Sequence, residues 1–177
     1  MNTPSATELI ESLLGSVPDF PSPGIIFRDL TPVFANAEAF RAVIDELTRP
    51  FAGQFDIIAG VEARGFLLAA GAAYATGTGT LAVRKAGKLP PPVLAESYSL
   101  EYGSASLEIH PVPAVSKGQR LLIVDDVLAT GGTLAATIRL AERAGYDVIG
   151  IAVVLELDEL AGRQALGDQH VHRILGL

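Results

Sequence analysis

The chain has 177 residues, 49% of them apolar and 19% charged, a balance expected of one compact globular domain over residues 1–177. Its formal net charge of -7 argues against broad nucleic-acid binding, which needs a basic surface, but leaves room for a local basic pocket. Cysteine is absent, which excludes disulfides and thiolate chemistry, and His110, His170 and His172 lack metal-ligand spacing.

Met1 to Glu8 is polar, so no secretory signal is expected there. Ala6 to Leu14 is a helical candidate. Val17 to Asp29 carries Pro18, Pro21, Pro23 and Gly24 and reads as a shaped loop. Phe40, Val43, Ile44 and Leu47 recur at helical spacing, so Glu38 to Leu47 is expected to be a helix ended by Pro50. Asp56 to Gly60 reads as a short strand, Gly65 to Tyr74 as a helix and Thr80 to Val83 as a strand. Glu62 and Arg64 interrupt the apolar region from Ile57 to Ala75, so no membrane span is expected. A cytoplasmic protein with no membrane partner is the expectation.

Ala86 to Tyr102 is rich in Gly, Pro and Ser and longer than an ordinary connection, a length typical of active-site lids. Ala105 to Ile109 alternates as a strand does. Arg120 to Val124 is a continuous apolar run, as in strands buried on both faces of a parallel sheet. Thr133 to Ala144 is a helix closed by Gly145, and Val148 to Leu155 is another buried strand. The alternation predicts an α/β fold around a mostly parallel sheet.

The run Val124-Asp125-Asp126-Val127-Leu128-Ala129-Thr130-Gly131-Gly132-Thr133 carries the chemistry. Adjacent carboxylates at the carboxyl end of a parallel strand stand where such sheets bind ligands. Glycines at a helix start let backbone N–H groups approach a phosphate, and Thr130 and Thr133 add hydroxyls. Neither G-x-x-x-x-G-K-[ST] nor G-x-G-x-x-G occurs, which disfavours a nucleoside triphosphatase or a dinucleotide enzyme.

The full string resembles the diphosphoribosyl-binding motif of the type I phosphoribosyltransferases. Four further segments narrow the resemblance to the adenine phosphoribosyltransferases of that family. Phe20-Pro21-Ser22-Pro23-Gly24-Ile25-Ile26-Phe27-Arg28-Asp29-Leu30-Thr31-Pro32 resembles their N-terminal hood, and Gly60-Val61-Glu62-Ala63-Arg64-Gly65-Phe66 their pyrophosphate loop. Arg84-Lys85-Ala86-Gly87-Lys88-Leu89-Pro90 and Ser97-Tyr98-Ser99-Leu100-Glu101-Tyr102-Gly103 resemble the two ends of their mobile loop. Pro91 stands where many members carry glycine.

The resemblance implies transfer of phosphoribose from 5-phospho-α-D-ribose 1-diphosphate to adenine, giving AMP and diphosphate. It implies that Ala129, Thr130, Gly131, Gly132 and Thr133 hold the 5-phosphate while Asp125 and Asp126 face the ribose. Arg64, Arg84, Lys85 and Lys88 are expected at the pyrophosphate. Ile26, Phe27, Arg28 and Leu157 are expected at adenine, with Phe27 stacking and the backbone near Ile26 and Arg28 reading the base edge. Glu101 and Arg64 are the implied catalytic residues, with Tyr102 covering the reacting centre. Mg²⁺ is the implied cofactor, held mainly by substrate and water near Asp125 and Asp126 with no direct protein ligand set. The resemblance also implies a homodimer and a cis Glu62–Ala63 peptide. The rival expectations are an enzyme for another purine, separable by assay across bases, and a non-catalytic sensor of the diphosphate donor, against which Glu101 and Arg64 argue.

Overall fold

The computed structural model describes residues 4–99, 104–111 and 117–177. Helices α1 (Ala6–Leu13), α2 (Thr31–Ala35) and α3 (Ala37–Thr48) occupy the N-terminal part, with a short hairpin of β1 (Gly15–Pro18) and β2 (Ile26–Asp29) between the first two. Then follow β3 (Ile57–Val61), α4 (Gly65–Thr76), β4 (Gly79–Lys85), β5 (Leu94–Ser99) and β6 (Ser104–Ile109). The chain finishes with β7 (Arg120–Leu128), α5 (Gly132–Ala144), β8 (Asp147–Glu156) and β9 (Val171–Gly176). Among the described residues no helix is long and apolar enough to cross a membrane.

The main sheet has the order β5-β6-β4-β3-β7-β8-β9. Strands β4, β3, β7, β8 and β9 are mutually parallel, and β6 joins β4 antiparallel with β5 beyond it. Side-chain alternation assigns each face its own core. Leu121, Ile123, Ile151 and Val153 pack with Leu134, Ile138 and Ala141 of α5. Leu122, Val124, Ala152 and Val154 pack on the other face with Ile10 of α1, Val43 and Leu47 of α3 and Leu68 of α4. Burial on both faces explains why β7 and β8 are almost unbroken apolar runs.

Three segments differ from the sequence expectations. Val17 to Asp29 is a hairpin rather than a loop throughout: Val17 pairs with Phe27 and Pro18 with Ile26. Pro18 is tolerated because it ends the strand of a two-stranded sheet, where few backbone donors are needed. Ala86 to Tyr102 contains β5, whose Glu96 occupies an inward position that a sequence pattern scores as solvent-facing. The third is β9, which forms the far edge of the sheet beside β8.

Candidate active site

The carboxyl ends of β3 and β7 converge on one edge of the sheet, and the turns that follow them build the site. β7 does not stop at Val124. It continues in register with β8 through Leu128, so Asp125 and Asp126 belong to the strand itself and both are buried. Asp125 Oδ1 accepts the Asp126 N–H at 2.9 Å. A Cβ on Gly65, the first residue of α4, would lie 3.0 Å from that same oxygen. Glycine there lets helix and carboxylate approach closely; a larger residue would press on Asp125 Oδ1 and on Val124 O, also at 3.0 Å. Burial, and then the neighbouring Asp126 charge, push the Asp125 carboxyl well above the ordinary aspartate range.

After β7 the chain turns into α5 through Gly131, which has φ +83° and is the N-cap. Ser5 and Asn36 cap α1 and α3 with side-chain hydrogen bonds, but no side chain caps α5. Its first amides line a pocket of about 80 Å³ formed by Asp125 and Val127 to Leu134. That is the volume of roughly two or three waters, at ~30 Å³ each, and suits a tetrahedral anion. Unpaired N–H groups and the positive end of the helix dipole give the pocket its anion preference. Thr133 Oγ1 donates to the Tyr98 hydroxyl of β5 at 3.2 Å.

The turn after β3 carries Arg64, and the Glu62–Ala63 peptide is cis. Arg64 Nη2 lies 2.6 Å from Asp126 Oδ2. This is a charge contact and not a hydrogen bond, because Oδ2 is buried with no N–H or O–H directed at it. The same guanidinium stands 5.4 Å from the centre of the Phe27 ring. Phe20 packs edge-on against Phe27 at 5.3 Å. The Arg28 guanidinium donates to Ser16 Oγ at 2.9 Å, so its side chain is committed to the hairpin. Ile26 is 52% exposed, in contrast to half-buried Phe27.

Arg84 is less free than its sequence context indicates. Its Nε donates to Glu62 at 3.1 Å, and Glu62 also accepts the Lys85 N–H at 2.8 Å. That backbone bond, and then the Arg84 contact, hold the Glu62 carboxyl below the usual range. Lys85 ends β4 and Lys88 stands on the connection after it, both with exposed side chains. Leu157 follows β8 and its N–H donates to Leu128 O at 2.9 Å, which ties it to the turn between β7 and α5. Glu101 and Tyr102 lie outside the described residues.

Among the described residues no three His, Cys, Asp or Glu side chains are placed to hold a metal ion. The acidic pair nevertheless fits a divalent cation shared with a ligand. Asp126 Oδ2 is buried with the Arg64 charge beside it but no hydrogen bond, and a cation would relieve the desolvation of Asp125.

The phosphoribosyl transferase domain family matches residues 31–170. An Arthrobacter protein named adenine phosphoribosyltransferase is 62% identical over 170 residues, covering 96% of this chain and 91% of its own. This chain belongs to the adenine phosphoribosyltransferases. The Rhodothermus marinus adenine phosphoribosyltransferase crystal structure has a TM-score of 0.90 at 47% identity, covering 97% of this chain and 98% of that one. The Saccharomyces cerevisiae enzyme, crystallised with an imino-altritol bisphosphate and adenine, has a TM-score of 0.89 at 39% identity, covering 96% and 98%.

Within this adenine phosphoribosyltransferase fold, residues that sequence reading missed surround the site. Tyr98 contacts Thr133, and Gly162 abuts the turn at Gly131. In the sequence Tyr98 is marked only as part of a mobile-loop end and Gly162 not at all, because each acts through a long-range contact.

The raised Asp125 carboxyl has a consequence for stability. The folded protein holds that proton to higher pH than the unfolded chain does. Stability is therefore lost as pH climbs from the ordinary 3.8 through the raised value. Asp125→Asn keeps an acceptor for the Asp126 N–H. It is expected to raise the thermal midpoint at pH 7. The gain should vanish below the ordinary aspartate value. A midpoint that is unchanged or lower at pH 7 in thermal melts counts against a strained, buried Asp125.

Proposed function

We propose that the chain is a working adenine phosphoribosyltransferase of purine salvage, acting as one domain. Adenine and 5-phospho-α-D-ribose 1-diphosphate become AMP and diphosphate. The observation that carries this reading is the run of contacts from Phe27 to Arg64 to Asp126, at 5.4 Å and 2.6 Å. It links the segment assigned to the base, the cation assigned to the diphosphate and the carboxylates assigned to the ribose.

In this reading the amides of Ala129 to Thr133 and the hydroxyls of Thr130 and Thr133 hold the 5-phosphate. Asp125 and Asp126 orient the ribose hydroxyls. Arg64 grips the diphosphate with Arg84, Lys85 and Lys88, and Arg84 reaches it from its pairing with Glu62. Phe27 stacks on adenine, with Ile26 and Leu157 flanking the ring. The Arg28 side chain is held by Ser16, so that residue serves through its backbone. Backbone groups near Ile26 and Arg28 distinguish the adenine amine, a donor, from the oxo group of other purines, because the wrong base leaves buried groups unpaired.

The C1–O bond to diphosphate breaks, its electron pair leaving with diphosphate, and adenine N9 forms the new bond to C1. The ring gives up the N9 proton overall, and Glu101 exchanges a proton at N7 as N9 attacks. Tyr102 covers the reacting centre against water. Asp125 and Asp126, with substrate and water, would hold Mg²⁺, which when bound would supply charge neutralisation at the diphosphate. A cytoplasmic setting belongs to the same reading, since the charged donor is an intracellular metabolite.

A steady-state assay with Mg²⁺, the diphosphate donor and each purine base tests the reading. Nucleotide should form with adenine and not with guanine, hypoxanthine or xanthine; another preferred base, or donor binding without turnover, contradicts it. Glu101→Ala should lower kcat by more than about tenfold with the fold intact. Turnover near the parental value removes Glu101 from its role.

A homodimer is part of the proposal. The sequence of α4, Gly-Phe-Leu-Leu-Ala-Ala-Gly-Ala-Ala-Tyr-Ala-Thr, has no charged residue, and Leu67 and Tyr74 on it are 55% and 93% exposed. A helix apolar on all sides is normally covered on all sides, and a second copy of this chain supplies the cover. Sedimentation should give a dimer for the parent and a monomer for Leu67→Glu with Tyr74→Glu. A monomeric parent refutes the dimer.

A further inference from the structure

The turn between β7 and α5 does not stand alone. A Cβ on Gly131 would run into the carbonyl oxygen of Gly162 and lie 3.0 Å from Ala165 Cβ. A Cβ on Gly162 would run into the carbonyl oxygen of Ala129 and lie 2.8 Å from Leu128 Cδ1. Two glycines thus bring the backbone of the phosphate-side turn onto that of the segment after β8. The same segment begins at Leu157, bonded through its N–H to Leu128 O at 2.9 Å. Both halves of the site therefore lean on one stretch of chain, residues 157–166, which consists of two short 3-10 turns.

Such a stretch has little regular hydrogen bonding of its own, so something must hold it. Glu156 closes β8 and is 4% exposed. Its carboxylate accepts Arg163 Nε at 2.8 Å on one oxygen and Arg163 Nη2 at 2.8 Å on the other. Arg163 Nη1 donates to Val171 O, at the start of β9, at 3.1 Å. Arg173 Nη1 adds a further contact to Glu156 at 3.1 Å. The bidentate fork fixes direction as well as distance. One guanidinium thereby ties the segment, immediately after Gly162, to the ends of two sheet strands.

We propose that Arg163 is a positioning residue for both halves of the site: through Gly162 it seats the Ala129–Thr133 turn, and through the same segment it sets Leu157. This rests on the roles proposed above for that turn and for Leu157. Arg163 touches neither substrate in this account. Its loss displaces both subsites together, because they share one support.

Steady-state kinetics on Arg163→Lys, which keeps the charge and loses the fork, test the proposal. KM for adenine and KM for the diphosphate donor should rise together. The resulting fall in kcat/KM should be ~10- to 100-fold, the scale of an ångström-sized misplacement. A merely structural role would lower the thermal midpoint and the active fraction while leaving both KM values parental. Glu156→Gln with Arg163→Gln removes the buried charge along with the fork, and it is read in the same way if the lysine variant does not fold. Parental KM values, or a rise for one substrate alone, overturn the proposal. So does failure of both variants to fold, which makes the pair structural. A parent that makes no AMP overturns the proposed function first, and this inference with it.

Discussion

Two carboxylates sit side by side at the buried end of a central strand, and the surrounding structure answers to that placement. Adjacent strand residues point to opposite faces, so Asp125 and Asp126 face different neighbours. Asp125 lies against the glycine that starts α4. Asp126 meets Arg64 in a contact that leaves an oxygen without a hydrogen bond. A desolvated carboxylate is unfavourable unless cations or hydroxyls reach it. The apolar core is generous enough to carry that cost, with both faces of the sheet covered by helices. Stability is thus given up at one point, a pattern common where function and folding compete.

The same economy governs the turn that follows. α1 and α3 begin with side-chain caps, whereas α5 begins with bare amides at a glycine in the left-handed region. The uncapped end forgoes local stabilisation and leaves amides free to meet an anion, the role proposed for it. Its geometry is maintained from behind, by close backbone packing at Gly162 and by the Glu156–Arg163 fork. Tyr98 and the Glu96 contacts to Arg139 and Arg143 support α5 from the β5 side.

How much of this was legible in the sequence depended on range. Leu121 to Val124 announced β7 because burial on both faces demands a continuous apolar run. Gly131 and Gly132 announced the turn because backbone conformation is a local property. Family resemblance named the Phe27, Arg64 and Asp126 segments, which the fold brings together at the ends of β3 and β7. Residues whose meaning lies in a distant partner stayed silent. Glu96 reads as solvent-facing until Arg139 and Arg143 arrive from α5. Arg84 reads as a free cation until Glu62 is placed across from it. Arg163 reads as one more surface charge. The hairpin of β1 and β2 was hidden for a different reason, since its prolines mark a turn but do not forbid pairing on either side.

The central claim is that the bare start of α5 cradles a phosphate, and backbone amide chemical shifts read it most directly. Ribose 5-phosphate is titrated into ¹⁵N-labelled protein. Saturable shifts are expected at Gly131, Gly132, Thr133 and Leu134, with the capped amides of Glu8 and Ala39 unmoved. Stationary amides at the α5 turn, or equal movement at all three helix starts, would contradict it.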